Sequence, residues 1–552
     1  MSRKRTSDLW WKNAIVYCLD VETFLDSDGD GCGDLVGLTE RLDYLAGLGV
    51  TCIWLMPFYP SAHGDDGYDV TYFYGIDGRL GTPGDFAELI RTASDRGIRV
   101  IADVVLNHTS SEHPWYRSAR RGRDDPYHDF YVWADERPEQ HADEVVFPDK
   151  EDSNWDYDRK ARRWFLHRFY RHQPELNVAN PEVRDELAQV LGYWLQQGLA
   201  GFRVDAVPFL LDPTGLPEGA HVDPHELMRD LRRYVCRHRG DAVLLGEVNL
   251  PPRDARRFFG GDEGDELHMC FGFALNQAMY LALARGDAGP VAATLRELPD
   301  IPEECQWANF VRNHDELTLD QLTDEERAEV FAAFGPEERH QLFGRGLRRR
   351  LPTMLDGDQE RIRMVYSLVF SLPGTPVLFF GEEIGMAENL AIEGRMSVRA
   401  PMQWSRERHG GFTTGEEPVR PLVDEPGWGH GEVSVARQRR EDGSLLNWME
   451  RLIRRRRECP EIGWGRATVL DVGTSAVLAH RCDWDGNVVV ALHSFSAEPL
   501  EVEVPVGDEA EAAVDLFADR ELEPEDGALA LSLDPYGHVW LRLRHPGQRL
   551  PP

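Results

Sequence analysis

The sequence predicts an α/β protein built on a (β/α)8 TIM barrel, with two insertions and a separate C-terminal antiparallel β-domain. Three observations predict it. Eight short apolar runs recur, at 14–19, 51–56, 100–106, 201–207, 242–248, 268–273, 307–312 and 376–380. Amphipathic stretches such as 38–48, 83–96 and 181–197 lie between them and are long enough for helices. The runs are apolar throughout rather than alternating, as parallel strands buried on both faces require. A doubly wound sheet would share that periodicity, but no Gly-rich phosphate loop follows the first run.

Taken in order, residues 1–107 supply the first part of the barrel. The stretch 108–180 is too long for a βα connection, is rich in charge and aromatics, and reads as an inserted subdomain. Residues 181–463 complete the barrel. Within them 316–359 is strongly charged, contains Arg348-Arg349-Arg350, and reads as a helical lid. From 464 to 552 the pattern changes to alternation, at 487–492, 500–504, 528–533 and 538–543, punctuated by Asp485-Gly486 and Pro535-Tyr536-Gly537. That predicts an antiparallel β-sandwich domain.

The 552 residues are 42% apolar and carry 61 basic against 96 acidic residues, a formal charge of −35. So negative a chain excludes nucleic acid and anionic membranes as partners and suits a neutral small molecule. Self-association is left open. The eight cysteines form no C-x-x-C pair, and several sit inside apolar runs, which reads as buried thiols in a reducing compartment. No apolar segment follows the basic N-terminal residues and no run is long enough to span a membrane, so a cytoplasmic location is expected.

The ends of the apolar runs carry the chemistry. Gly201-Phe202-Arg203-Val204-Asp205 places a cation and an anion two residues apart, on one face of a strand. Gly246-Glu247 ends the next run, Asn313-His314-Asp315 ends the seventh, and Asn107-His108 ends the third. In a parallel barrel these ends face one mouth. Cleaving a glycosidic bond with retention needs one carboxylate to attack the anomeric carbon and one carboxyl to protonate the leaving oxygen. Asp205 suits the first role, with Arg203 expected to lower its pKa. Glu247 suits the second, expected in a drier place with its pKa raised. Asp315 would hold sugar hydroxyls as charge develops on the ring. Tyr68 with Asp65 and Arg399 could supply an aromatic platform and an outer charged pair. Asp26, Asp28, Asp30, Cys32 and Asp34 alternate along a Gly-rich loop, a pattern suited to a hard cation such as calcium, although the twelfth loop position is Gly37 and not Glu.

These motifs together resemble the α-amylase superfamily of glycoside hydrolases. The carriers are Asp103-Val-Val-Leu-Asn107-His108, Gly201-Phe-Arg203-Val-Asp205, Gly246-Glu247, Asn313-His314-Asp315 and Gly374-Thr-Pro-Val-Leu-Phe-Phe-Gly-Glu-Glu. Within it the chain is most similar to the trehalose synthases (maltose α-D-glucosyltransferases), through His172-Gln-Pro-Glu175-Leu-Asn177, Asp205-Ala-Val-Pro208, Arg312-Asn-His-Asp-Glu-Leu-Thr318 and Arg399-Ala-Pro-Met-Gln-Trp404. The resemblance implies Asp205 as nucleophile, Glu247 as acid/base and Asp315 as transition-state stabiliser. Asp65, Tyr68, His108, Arg203, His314 and Arg399 would line the glucose pocket. It also implies a structural calcium or magnesium at the Asp26–Asp34 loop, a second cation at Asn107, Glu175 and Asp212, and no organic cofactor. The implied reaction is isomerisation of maltose to trehalose by intramolecular transglucosylation. The alternatives are α-glucosidase hydrolysis, transfer to another acceptor, or an inactive barrel that only binds. The chain departs from the trehalose synthase pattern at Val248-Asn249-Leu250-Pro251-Pro252, where Ala-Asn-Gln-Trp-Pro is usual. It also has Ala400 in place of Thr, and its first strand reads Val16-Tyr17-Cys18-Leu19-Asp20 where a Tyr-Glu pair is more usual. The departures leave the glucosyl-donor half intact and the acceptor half open.

Overall fold

A computed structural model describes residues 6–139, 145–210, 212 and 224–548. Eight parallel strands close into a barrel in sequence order. They are β1 (Val16–Leu19), β2 (Cys52–Leu55), β3 (Arg99–Val104), β4 (Gly201–Val204), β5 (Val243–Gly246), β6 (Met269–Phe271), β7 (Gln306–Phe310) and β8 (Thr375–Phe379), with β8 pairing back onto β1. Each falls within two residues of an apolar run read from the sequence. Nearly every strand residue is buried, because side chains fill the barrel on one face and helices cover the other. Gly201 opens β4 at φ 146°, where a Cβ would stand 2.1 Å from the Val243 carbonyl oxygen, so only glycine lets β4 approach β5.

The helices start on their own signals. Thr82 caps Pro83–Asp95 through a reciprocal capping box with Asp85, and Asn180 caps Pro181–Gln196 ahead of a proline. Trp194 of the second helix packs edge-on against Phe58 and Phe86, with centroids 5.0 and 5.3 Å away, and so fastens helix to barrel.

Within 108–180, three short antiparallel strands, Trp133–Ala134, Trp155–Asp158 and Arg163–Leu166, form a small sheet. Isolated bridges from His108 to Glu175 and from Tyr131 to Leu176 tie it to the barrel rim. The segment 316–359 is not purely helical. A capped helix, Asp324–Phe334, sits within a three-stranded sheet of two-residue strands, one before it and two after, too short to leave a periodic signal in sequence. The run Arg348-Arg349-Arg350 turns largely inward. Arg350 is 1% exposed and donates to the Phe380 and Val398 carbonyl oxygens, while Arg349 pairs with Glu388. The buried Arg350 guanidinium thus spends its donors on main-chain carbonyls instead of on a carboxylate.

Beyond Arg466 a six-stranded antiparallel sheet and a two-stranded one enclose their own apolar cluster, including Val490, Leu492, Val504, Leu531 and Leu541. The four predicted strands are present, joined by Arg466–Leu470, Val477–Trp484, Ala512–Asp515 and Arg520–Leu522. All eight cysteines are free thiols, seven of them buried. Among the described residues no helix is long and apolar enough to cross a membrane.

Candidate active site

The site is organised by one buried cation. Arg203 on β4 is 1% exposed, and its guanidinium serves three carboxylates. Nη1 donates to Asp103 Oδ1 (2.5 Å) and Asp205 Oδ1 (2.6 Å), and Nη2 donates to Glu247 Oε2 (2.6 Å). Strand register explains the convergence, since Asp103 on β3 lies directly beside Arg203 and Glu247 follows the last residue of β5. Trp54 Nε1 donates to the other Asp103 oxygen at 2.8 Å, as does Tyr68 OH at 3.2 Å. Asp103, the first residue of the Asp103–His108 motif, is a further functional residue of the site. Its signal is an acid inside an otherwise apolar strand.

Three carboxyls share one guanidinium, so the cluster cannot be neutralised with all of them ionised. Burial pushes Asp103 and Asp205 each up to about 6, with Arg203 pulling the other way. Burial pushes Glu247 up to about 7, again opposed by Arg203 and reinforced by the nearby charges of Asp205 and Asp315. The proton held longest therefore sits on Glu247. Two expectations are corrected. Arg203 does not bring Asp205 below the ordinary carboxylate value, because desolvation outweighs it. Nor is Glu247 the drier group, since its side chain is 24% exposed against 11% for Asp205. Its pKa is nonetheless raised, as expected, because desolvation and the like charges of Asp205 and Asp315 outweigh Arg203.

Asp315 follows β7 and is treated oppositely. Burial alone would raise its pKa, but His314, Arg395 and Arg399 hold it well below the ordinary value. Its Oδ1 accepts from Arg395 Nη1 (2.8 Å) and Arg399 Nη2 (2.9 Å), and Oδ2 lies 3.0 Å from His314 Nε2. Burial lowers His314 to about 4 and His108 to about 3, so both imidazoles are neutral at neutral pH. His314 Nε2 also meets Tyr68 OH at 2.8 Å.

A cavity of about 500 Å³ opens over these groups, within the ~300–1,000 Å³ range of small-molecule sites. Asp205, Glu247, Asp315, Asp65, Tyr68 and His108 all line it, with Phe147, Phe169, Phe209 and Phe273 as apolar wall. The His108 Nε2 has no protein partner. Arg203, His314 and Arg399 are not in the lining; they lie behind it and fix the groups that are. The partner of Asp65 is also corrected. Arg395 Nη2 bonds Asp65 Oδ1, whereas Arg399 is fully buried and bonds Asp66, Asp315 and the His314 carbonyl oxygen. Gln173 Nε2 donates to the second Asp65 oxygen at 2.9 Å. Sequence reading missed Arg395, whose one signal is its place four residues before Arg399.

Over the mouth the two insertions meet. Phe147 packs on Phe343 with centroids 5.3 Å apart, and Arg345 donates to the Val146 carbonyl oxygen at 2.8 Å. The outer wall carries Asn249, Leu250 and Asp320. Both Asp320 oxygens accept from Asn249 Nδ2, at 3.0 and 2.9 Å.

The predicted cation residues divide. Carboxylate oxygens of Asp26, Asp28 and Asp34 lie within 4.8 Å of one another, which fits a hard cation. Asp30 and Cys32 are not in that cluster. An Asp30 oxygen accepts from the Cys32 main-chain N–H, and burial pushes the Cys32 thiol well up. At the second expected site Arg168 stands between the acids, Nε on Glu175 (2.9 Å) and Nη1 on Asp212 (2.8 Å). A guanidinium already supplies the positive charge there, so Asn107, Glu175 and Asp212 do not fit a divalent ion in this arrangement.

The model of the alpha amylase catalytic domain matches residues 20–333 and 343–465, and that of the sucrose hydrolase-like C-terminal domain matches 486–542. The chain is 38% identical to a trehalose synthase of Pimelobacter sp. (strain R48), over 97% of this chain and 96% of that protein. It is 40% identical to a trehalose synthase/amylase of Mycobacterium tuberculosis (strain ATCC 25618 / H37Rv), over 90% and 83%. Among solved structures, a trehalulose synthase variant in complex with Tris superposes with a TM-score of 0.78 at 27% identity, covering 97% of this chain and 100% of that one.

Proposed function

The chain belongs to the alpha-amylase family, and from that premise we propose that it converts maltose to trehalose by moving an α-glucosyl unit within its own pocket. The supporting observation is the two-pronged hold of Arg203 on Asp205 and Glu247 inside one cavity. Retaining chemistry needs a close carboxyl pair, about 5–5.5 Å apart, and hydrogen bonds to one guanidinium hold these two side by side. The trehalose synthase identity of relatives at 38–40% over most of the chain supports the substrate.

In this reading Asp205 attacks the anomeric carbon of the non-reducing glucose. The C–O bond breaks and the leaving oxygen takes the proton of Glu247. Asp315, ionised throughout, accepts hydrogen bonds from ring hydroxyls as positive charge builds on the ring. The Asp65–Arg395 pair and His108 hold the outer hydroxyls. The released glucose turns in place, Glu247 removes the proton of its anomeric hydroxyl, and that oxygen displaces Asp205. Two inversions give net retention. The contacts of Phe147 and Arg345 over the mouth keep water from intercepting the glucosyl-enzyme. Hydrolysis, or transfer to another acceptor, is the second reading. It draws on the apolar Leu250 at the outer wall, which stands where the trehalose synthase pattern has Gln.

A structural Ca²⁺ or Mg²⁺ at Asp26, Asp28 and Asp34 would pin the loop after β1 and supply charge compensation only. The free thiols support an enzyme of a reducing compartment. Incubating the pure protein with maltose and separating the products tests the function. Trehalose as main product is expected, and glucose alone or a different disaccharide would overturn it.

A further inference from the structure

Outside the sugar pocket, the hairpin of the 108–180 subdomain carries a cluster that the reaction does not use. Trp155–Asp158 pairs with Arg163–Leu166, placing Asp156 opposite Phe165 and Trp155 opposite Leu166. His167 comes next and donates its main-chain N–H to Asn154 O at 2.8 Å, which continues the register and puts its side chain on the face of Asp156. Glu151 reaches the same place from the preceding turn. One donor atom from each of Glu151, Asp156 and His167 lies within 4.8 Å of the others. The His167 side chain is 1% exposed, its Nε2 is 3.7 Å from Asp156 Oδ2, and neither ring nitrogen has a hydrogen-bond partner. Buried polar atoms are satisfied almost without exception, so an imidazole with two unmet nitrogens beside two carboxylates needs an occupant.

We propose that Glu151, Asp156 and His167 bind a divalent transition-metal ion of the Zn²⁺ type. One imidazole and two carboxylates are a zinc ligand set with room for a water, whereas calcium takes oxygen ligands only. Bonds of about 2.0–2.2 Å would draw the three donors inward from their present spacing. Only short side-chain movements are needed, because the donors stand on a paired hairpin and its adjoining turn. The competing cation is Arg171, whose Nε is 3.0 Å from Asp156 Oδ2 and whose main-chain N–H donates to Glu151 at 2.8 Å. Its side chain is 65% exposed and can swing into solvent when the ion enters. The site is structural. It would clamp the chain that runs from His167 to Gln173, the residue that holds Asp65 at the glucose pocket.

The test uses the full chain, stripped with a strong chelator and kept in Ca²⁺ to fill the all-oxygen loop at Asp26. Titration with Co²⁺ is expected to give a visible ligand-field spectrum at one equivalent, bleached by one equivalent of Zn²⁺. H167Q and D156N should each lose that equivalent and that spectrum. An unchanged spectrum and stoichiometry in both variants, or no uptake by the parent, overturns the proposal. Should the variants misfold, anomalous diffraction from Zn²⁺-soaked parent crystals decides the matter: a peak between the three side chains supports the site, and none refutes it.

Discussion

Replacing Asp205 by Asn should abolish activity and yet make the protein more stable at neutral pH. The second half is the less obvious one. In the folded protein burial lifts the Asp205 carboxyl from 3.8 to about 6, even with Arg203 attached. A carboxyl whose folded pKa lies above its unfolded one binds its proton more tightly when folded. Folding then loses stability as pH rises from about 4, and the full penalty applies above about 6. At about 1.36 kcal/mol per pH unit, the rise corresponds to roughly 3 kcal/mol at pH 7. Asn resembles the protonated carboxyl in shape and polarity, so it should recover about 1–3 kcal/mol, less whatever Arg203 loses in charge pairing. The assay is denaturant unfolding of parent and D205N at pH 7 and at pH 4. The variant should be more stable at pH 7, and the difference should shrink toward zero at pH 4. Activity on maltose should fall by about 10⁴-fold or more, as loss of a covalent nucleophile does. A variant less stable than the parent at pH 7, or equally shifted at both pH values, would refute the claim that this carboxylate is held against its preference.

Further outcomes follow from the same geometry. The kcat/KM profile should be bell-shaped, rising as Asp205 ionises near 6 and falling as Glu247 loses its proton near 7; E247Q should remove the alkaline limb for a donor with a pre-activated leaving group, and retention of that limb would dismiss Glu247 as the acid. Arg395→Ala should raise KM about 10–100-fold, the worth of a charge-assisted hydrogen bond, with a smaller change in kcat; equal kinetics in parent and variant would show that the Asp65 pair does not touch sugar. Stripping divalent cations should lower the melting temperature and Ca²⁺ should restore it, whereas Asp26→Ala should melt at one temperature with or without Ca²⁺; a response that survives this substitution places the ion elsewhere.

The barrel and the core of its site were legible in the chain because both rest on local signals. A run of apolar residues commits itself to a buried strand whatever lies far away. An Arg and an Asp two residues apart in such a run are conspicuous because burial of charge is costly without a partner. What the sequence could not fix were choices made between distant segments. Arg395 and Arg399 differ by four residues and carry the same side chain. Only the short 3-10 turn at Gly394–Val398 decides that the first meets Asp65, 330 positions away, and the second meets Asp66. Arg168 between Glu175 and Asp212, the burial of Arg350, and the sign of the Asp205 shift have the same origin. Electrostatic energy depends on separation in space and on how much water is excluded around a charge, and the order of residues along the chain specifies neither until the fold brings the charges together.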